Sequence, residues 1–283
     1  MYSEPEPAVA DRMREMHAAA AAMLNVAPAE GRETWGWQGR TLSGPVTSAA
    51  GDAWLRLVAA PEAKAGGKLW EGPLEAERSM PSAVPRPRLR ERRTWTDTGH
   101  GYLAELYERV DAPVIAPSEP VLRKAPDLGD AWWEELGAAL DSISEVPTNR
   151  VAVRQQYLDR AMPQFLGFPV DTRVPVWSTV HGDLHWANLT SPKLAILDWE
   201  GWGIAPAGYD VALLHAYSLL VPGTAAEIRH RFSRTLDSES GRFAQLVVIT
   251  ELLQSTTRGD HLDLETPLRE HLATLRSTIH AAT

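Results

Sequence analysis

The chain has 283 residues, 28 Lys/Arg against 37 Asp/Glu, a formal charge of −9, and no cysteine. The missing cysteine excludes a disulfide scaffold, Cys-ligated zinc, Fe–S chemistry and a thiol nucleophile. The acidic balance argues against nucleic acid as a partner, since that affinity comes largely from cations neutralising phosphates.

At the N-terminus, Ser3-x-x-Glu6 reads as a capping box. Val9, Met13, Met16, Ala20 and Leu24 follow at helical spacing as a buried stripe. Asn25 to Gly31, with Pro28, reads as a loop. From Glu33 to Val58 the pattern turns to strands: two short ones around Gly36 and Gly39, then Ala53 to Val58. Pro61 to Gly67 is a Gly/Ala-rich turn, and a short helix is predicted over Leu74 to Met80 after Pro73. Arg88 to Trp95 and Gly101 to Val110 read as two more strands. Arg86 to Arg93 is a basic run, read as a solvated strand and turn, with docking of an acidic partner as the alternative.

Beyond Asp111 the chain is mainly helical. Helices are predicted over Ala131 to Ile143 and Ala152 to Phe165. Tyr209, Leu213, Tyr217 and Leu220 mark a third, and Phe243, Leu246, Thr250 and Leu253 a fourth. Thr266 would cap a last helix from Pro267, with Leu268, Leu272, Leu275 and Ile279 facing inward. Val176 to Trp199 breaks the pattern with short strands and loops. The expected division is therefore 1–110, an N-terminal helix and a β-rich part, and 111–283, a helical part. No apolar run approaches the roughly 20 residues that cross a bilayer. The N-terminus lacks the basic flank and apolar stretch of a secretion signal, so no membrane partner and a cytoplasmic location are expected. The eleven tryptophans read mostly as core.

The charge is uneven. Residues 97–149 hold 3 Lys/Arg against 11 Asp/Glu, a net of −8, while residues 1–96 carry +1 and residues 150–283 carry −2. A solvated helix face is the plain reading of that stretch. Negative walls around a site would instead favour a cationic ligand.

The chemistry concentrates in one segment. Asp183 and Asn188 are five apart, and Asp198 follows ten later, after an apolar run. Two carboxylates and an amide are hard oxygen donors suited to Mg²⁺, which keeps waters and bridges to phosphates. A carboxylate beside such a metal can orient a hydroxyl and accept its proton. The combination points to phosphoryl transfer, where catalysis is mainly positioning and charge neutralisation.

His181-Gly182-Asp183-Leu184-His185-Trp186-Ala187-Asn188 resembles the H-G-D-x-x-x-x-N catalytic loop of the aminoglycoside phosphotransferase and choline kinase-like enzymes. Ile196-Leu197-Asp198-Trp199-Glu200 resembles their metal-binding I-D-W/F-E segment. Pro206-Ala207-Gly208-Tyr209-Asp210-Val211-Ala212 resembles the P-x-x-Y-D-L-A helix start that follows it. The resemblance is strong over 177–215 and looser elsewhere. It implies an α+β, two-lobed protein-kinase-like fold: a small β-rich N-lobe with one short helix, preceded by an N-terminal helix, and a larger helical C-lobe.

The resemblance makes Asp183 the catalytic base and Asn188 and Asp198 the Mg²⁺ ligands. His181 would support the loop, and Asp210 would brace it or cap the next helix. His185 and Trp186 would face the acceptor or pack. Gly36 and Gly39 fall at the phosphate-covering hairpin. Arg56 stands where a phosphate-binding Lys is usual, and Glu71 or Glu75 in the short helix would be its partner. Glu108 to Val110 align with the hinge that reads adenine. The family's G-D-P is here Ile204-Ala205-Pro206, without the acid.

The implied activity is ATP-dependent transfer to a hydroxyl of a small molecule, antibiotic-like or a natural product, with GTP as the other donor and a cationic acceptor suggested by the acidic stretch. The acceptor would contact the segments around 111–165 and 202–260. A peptide Ser/Thr kinase acting on a precursor peptide and an inactive nucleotide-binding module are the competing readings. The sequence leaves the oligomeric state open.

Overall fold

The structure is a computed structural model describing residues 3–281, with side chains through 277. The inward position expected for Ile279 lies outside the described side chains. The chain divides into two compact units. One is Met1–Ser79 with Pro85–Pro113, and the other is Met80–Val84 with Val114–Thr283.

In the first unit, helix α1 spans Pro7–Met23. Pro7 occupies the first turn, where a missing N–H costs nothing. The helix therefore starts after Glu6, which makes no side-chain cap, and the capping box expected at Ser3 and Glu6 does not form. Ala10, Met13, Ala20 and Leu24 are buried, and Val9 and Met16 pack beside them.

The sheet comprises β1 (Ala27–Pro28), β2 (Thr34–Trp35), β3 (Thr41–Ser48), β4 (Gly51–Pro61), β5 (Leu89–Asp97) and β6 (His100–Glu108). Its order is β1-β3-β4-β6-β5 with β2 on β3, and every pairing is antiparallel. The loop expected over Asn25 to Gly31 instead adds the short edge strand β1 to β3. Strand side chains alternate between faces. Ala53, Leu55 and Leu57 of β4 and Ala104 and Leu106 of β6 thus join one core with α1, leaving Arg56 and Glu105 together on the other face, directly in register.

Helix α2 spans Lys68–Ser79 and runs through Pro73, beginning six residues before the predicted Leu74. The Glu71 N–H bonds the Gly67 carbonyl at 3.0 Å, so the first turn forms on Gly67. Pro73 removes only one bond from a helix closed on both sides of it.

The second unit holds α3 (Asp130–Ser144), α4 (Gln155–Leu166), β7 (Trp177–Val180), β8 (Gly203–Pro206), α5 (Tyr209–Ala216), α6 (Pro222–Arg231), α7 (Ser233–Leu236), α8 (Glu239–Thr256) and α9 (Glu265–Ala281). Helix α8 is its axis, buried on most sides and packed against α4, α5 and α9. Ser238 caps it by accepting the Gly241 N–H at 2.9 Å. Helix α9 starts at Glu265, which puts Thr266 inside the first turn instead of at the cap. Its Leu268, Leu272 and Leu275 are buried. Among the described residues six tryptophans are buried, five of them in this unit: Trp132, Trp133, Trp186, Trp199 and Trp202. Among the described residues, no helix is long and apolar enough to cross a membrane.

Candidate active site

Strands β7 and β8 pair antiparallel, with Val180 opposite Gly203. The chain leaves β7 at His181 and turns through Gly182, whose φ of +81° suits glycine. Asp210 holds this turn from the first turn of α5. One of its oxygens accepts the His181 N–H at 2.7 Å and the other the Gly182 N–H at 2.9 Å. Burial pushes the Asp210 carboxyl up, against the pull of those donors and of His181.

His181 is fully buried and braced at both nitrogens. Its Nε2 lies 2.9 Å from the Leu197 carbonyl, and its Nδ1 lies 3.3 Å from the Asp183 N–H. One nitrogen donates and the other accepts, which is the neutral tautomer, and burial likewise drives its pKa down. The ring packs edge-on to Trp199 at 4.8 Å. His181 is therefore a support of the loop.

Asp183 projects from the turn with half of its side chain exposed. Enclosure by the loop opposes its ionisation. Attraction to His185 and hydrogen bonds from His185 and Asn188 outweigh that and hold the carboxyl below its ordinary range. Its Oδ2 lies 3.4 Å from both His185 Nε2 and Asn188 Nδ2. The Asn188 amide also donates to the Asp183 carbonyl at 2.9 Å. A short 3₁₀ turn, Trp186–Asn188, places Asn188 there. Trp186 anchors it as a fully buried side chain whose Nε1 donates to Ser218 Oγ at 2.8 Å. His185 is 2% exposed and sits edge-on to Tyr217, so both His185 and Trp186 pack.

Asp198 is brought alongside by the backbone. Leu189 and Ile196 form a bridge, and the Leu197 N–H donates to the Asn188 carbonyl at 2.9 Å. Asp198 then takes a left-handed conformation, φ +58°, and its side chain is exposed. Trp199 folds back to donate from Nε1 to the Ile196 carbonyl at 2.9 Å. Among the described residues, no three His, Cys, Asp or Glu side chains gather into a metal cluster. The donors expected from the sequence are instead the Asn188 amide oxygen and the Asp198 carboxylate. That chemistry fits Mg²⁺, which takes few protein ligands and fills its octahedron with water and phosphate oxygens.

In the first unit, the partner of Arg56 is not where the sequence reading put it. Arg56 Nη1 donates to Glu105 Oε2 at 2.9 Å across β4 and β6. Glu105 is fully buried and also accepts the Tyr107 hydroxyl at 3.0 Å. Glu75 pairs with Arg78 on the surface of α2, and Glu71 shows no ion pair among the described residues. The sequence signal for Glu105 was available: it is the lone acid in the apolar strand run Tyr102 to Leu106.

Gly36 and Gly39 close a turn. The Gly36 N–H bonds Thr41 at 3.0 Å and the Gly39 N–H bonds Gly36 at 3.1 Å, so both amides are committed within the hairpin. A Cβ on Gly39 would come within 2.7 Å of Pro5, so packing alone requires glycine there. Glu108 ends β6, where its N–H donates to the Arg88 carbonyl at 2.9 Å, and Val110 follows outside the sheet.

The basic run is absorbed inside its own unit. Arg86 and Arg88 both clamp Glu77, Arg92 reaches the Trp70 carbonyl, and Arg93 pairs with Glu91. Among the described residues, four of the eleven acids in the stretch 97–149 pair with an arginine, two of them with Arg109 and Arg123 that its net of −8 already counts. Glu105 meets Arg56, Asp111 lies beside Arg109, Glu119 holds Arg123, and Asp130 holds Arg231.

The fold has solved counterparts. A thermostable mutant of aminoglycoside phosphotransferase APH(4)-Ia, in ternary complex with ADP and hygromycin B, matches with a TM-score of 0.57 at 13% identity, over 93% of this chain and 98% of that one. Another structure of aminoglycoside phosphotransferase APH(4)-Ia matches at 0.56 and 14% identity over the same shares. The chain has the aminoglycoside phosphotransferase fold. It is the two-lobed, kinase-like α+β class that the three motifs implied. No family model and no curated protein sequence matches the chain.

Proposed function

We propose that the protein is an ATP-dependent O-phosphotransferase that moves the γ-phosphoryl group to a hydroxyl of a small molecule, antibiotic-like or a natural product. The observation that carries this reading is the tie between the two segments: the Asn188 side chain donates to Asp183, and the Asn188 carbonyl accepts from Leu197, the residue before Asp198. An exposed Asp198 on a left-handed backbone beside the bonded Asp183–Asn188 pair has no packing purpose, which argues against an inactive module.

Asp183 is the base. Held ionised, it accepts a hydrogen bond from the acceptor hydroxyl and takes its proton as the new O–P bond forms and the bond to ADP breaks. His185 and Asn188 fix the direction of that carboxylate. Asn188 Oδ1 and the Asp198 carboxylate would hold Mg²⁺, which when bound neutralises charge on the transferred phosphoryl group. Arg56, steadied by Glu105, would supply a second positive charge to the phosphates, its planar fork replacing the point charge of a lysine. The ADP and hygromycin B bound to the structural neighbour support ATP over GTP and a small-molecule acceptor over a peptide.

The test is transfer of labelled γ-phosphate from ATP to a panel of hydroxylated natural products in Mg²⁺. Asp183→Asn should abolish transfer while nucleotide binding persists, and Asp198→Ala should abolish Mg²⁺-dependent nucleotide binding. Transfer that survives Asp183→Asn unchanged overturns the assignment of the base.

A further inference from the structure

Asp198 presents a mechanical question. A left-handed backbone at a residue other than glycine is disfavoured and persists only where its surroundings hold it. On the N-terminal side the hold is clear: the Leu197 N–H on Asn188 and the Leu197 carbonyl on His181. On the C-terminal side lies Trp199–Trp202, a turn with carbonyls to satisfy before β8 begins at Gly203.

Those carbonyls are gathered by one side chain from outside the three motifs. Arg150 Nη2 donates to the Glu200 carbonyl at 2.9 Å, and Nε donates to the Trp202 carbonyl at 3.0 Å. The same guanidinium lies over the buried Trp202 ring, 5.0 Å from its centroid. Arg150 is itself immobilised: its carbonyl accepts the Ile204 N–H at 2.8 Å, and Val151 bridges in parallel to Ile204. The approach is so close that a Cβ on Gly203 would fall 2.7 Å from the Arg150 carbonyl carbon. A planar fork with divergent N–H groups reaches two carbonyls two residues apart at once, which a lysine's point charge does only in part.

We propose that Arg150 is a positioning residue for the metal site: its guanidinium fixes the turn after Asp198 and so holds that carboxylate where it binds the cation. Arg150 touches neither metal nor substrate. The inference rests on the metal role given to Asp198 above.

The test uses the full chain with Mn²⁺ and ADP as probes, bound Mn²⁺ being read by electron paramagnetic resonance. Arg150→Met keeps the stem against Trp202 and removes the fork. It should weaken Mn²⁺·ADP binding about 10-fold, the scale on which outer partners act on metal sites. Arg150→Lys should recover part of the loss, and millimolar methylguanidinium should restore Arg150→Ala. In turnover assays the Mg²⁺ requirement should rise while the KM for acceptor stays level. A folded Arg150→Met with wild-type Mn²⁺·ADP affinity overturns the proposal. So does failure of both Arg150→Met and Arg150→Ala to fold, which would make Arg150 a residue of folding alone. Wild-type Mn²⁺ binding that ignores Asp198→Ala would overturn the metal assignment itself, and it is seen without any Arg150 variant.

Discussion

Arg56 and Glu105 face each other across β4 and β6, with 2.9 Å between Nη1 and Oε2 and the carboxylate fully buried. Both sit on the sheet face turned away from α1. Removing one member of a buried pair leaves the other charge without compensation, at a cost of about 3–5 kcal/mol. Glu105→Ala should therefore lower unfolding stability on that scale in urea titrations and weaken ADP binding. Glu71→Gln and Glu75→Gln should change neither, since Glu75 is a surface partner of Arg78 and Glu71 makes no ion pair among the described residues.

Asp210 gives a second prediction. Both of its oxygens are occupied by backbone N–H groups of the loop that carries Asp183. Asp210→Ala leaves two enclosed donors unmatched, costing about 1–3 kcal/mol each. Asp210→Asn preserves one acceptor and turns an NH₂ toward the other donor. The expected order of melting temperature and of transfer rate is wild type, then Asn, then Ala, read by calorimetry and by labelled-phosphate transfer.

Glu251 on α8 accepts the Tyr209 hydroxyl at 2.6 Å, and burial together with repulsion from Asp183 pushes its carboxyl up to about 7. A carboxyl raised in the folded state contributes stability that is fully present below its unfolded pKa, near 4.5, and is lost as pH rises through 7. Glu251→Gln should therefore match wild type at pH 5 and melt higher than wild type at pH 8. Parallel melting curves across that range would refute this.

The acid side is set by a different pair. His215 and His271 lie with ring centroids 4.9 Å apart, and His271 Nε2 lies 3.1 Å from Gln245 Oε1. Burial, repulsion from His271 on His215, and repulsion from Arg229 on both rings lower their pKa values to about 3 and about 4. Depressed folded values mean that stability is full above 6.5 and is lost as pH falls toward 4 and 3. Replacing both by Leu should flatten the fall of melting temperature below pH 6.

The sequence by itself determined the grouping of the proposed site residues. Asp183, Asn188, Asp198 and Asp210 lie at short-range spacing around two small strands, so their order in the chain nearly fixes that grouping. The α1 stripe and the β-rich and helical units were legible too, because amphipathic period reports burial directly. Helix starts were less so: Pro7 in the first turn of α1 displaced the expected cap, and α2 ran through Pro73 from a first turn formed on Gly67. Only the tertiary structure decided what lies across from what. Glu105 is 49 residues from Arg56 and meets it through strand register. Arg150 is 50 residues from Glu200 and finds its carbonyl because β8 runs beside it. Such pairs depend on how distant segments pack, and no local pattern in either segment encodes the other.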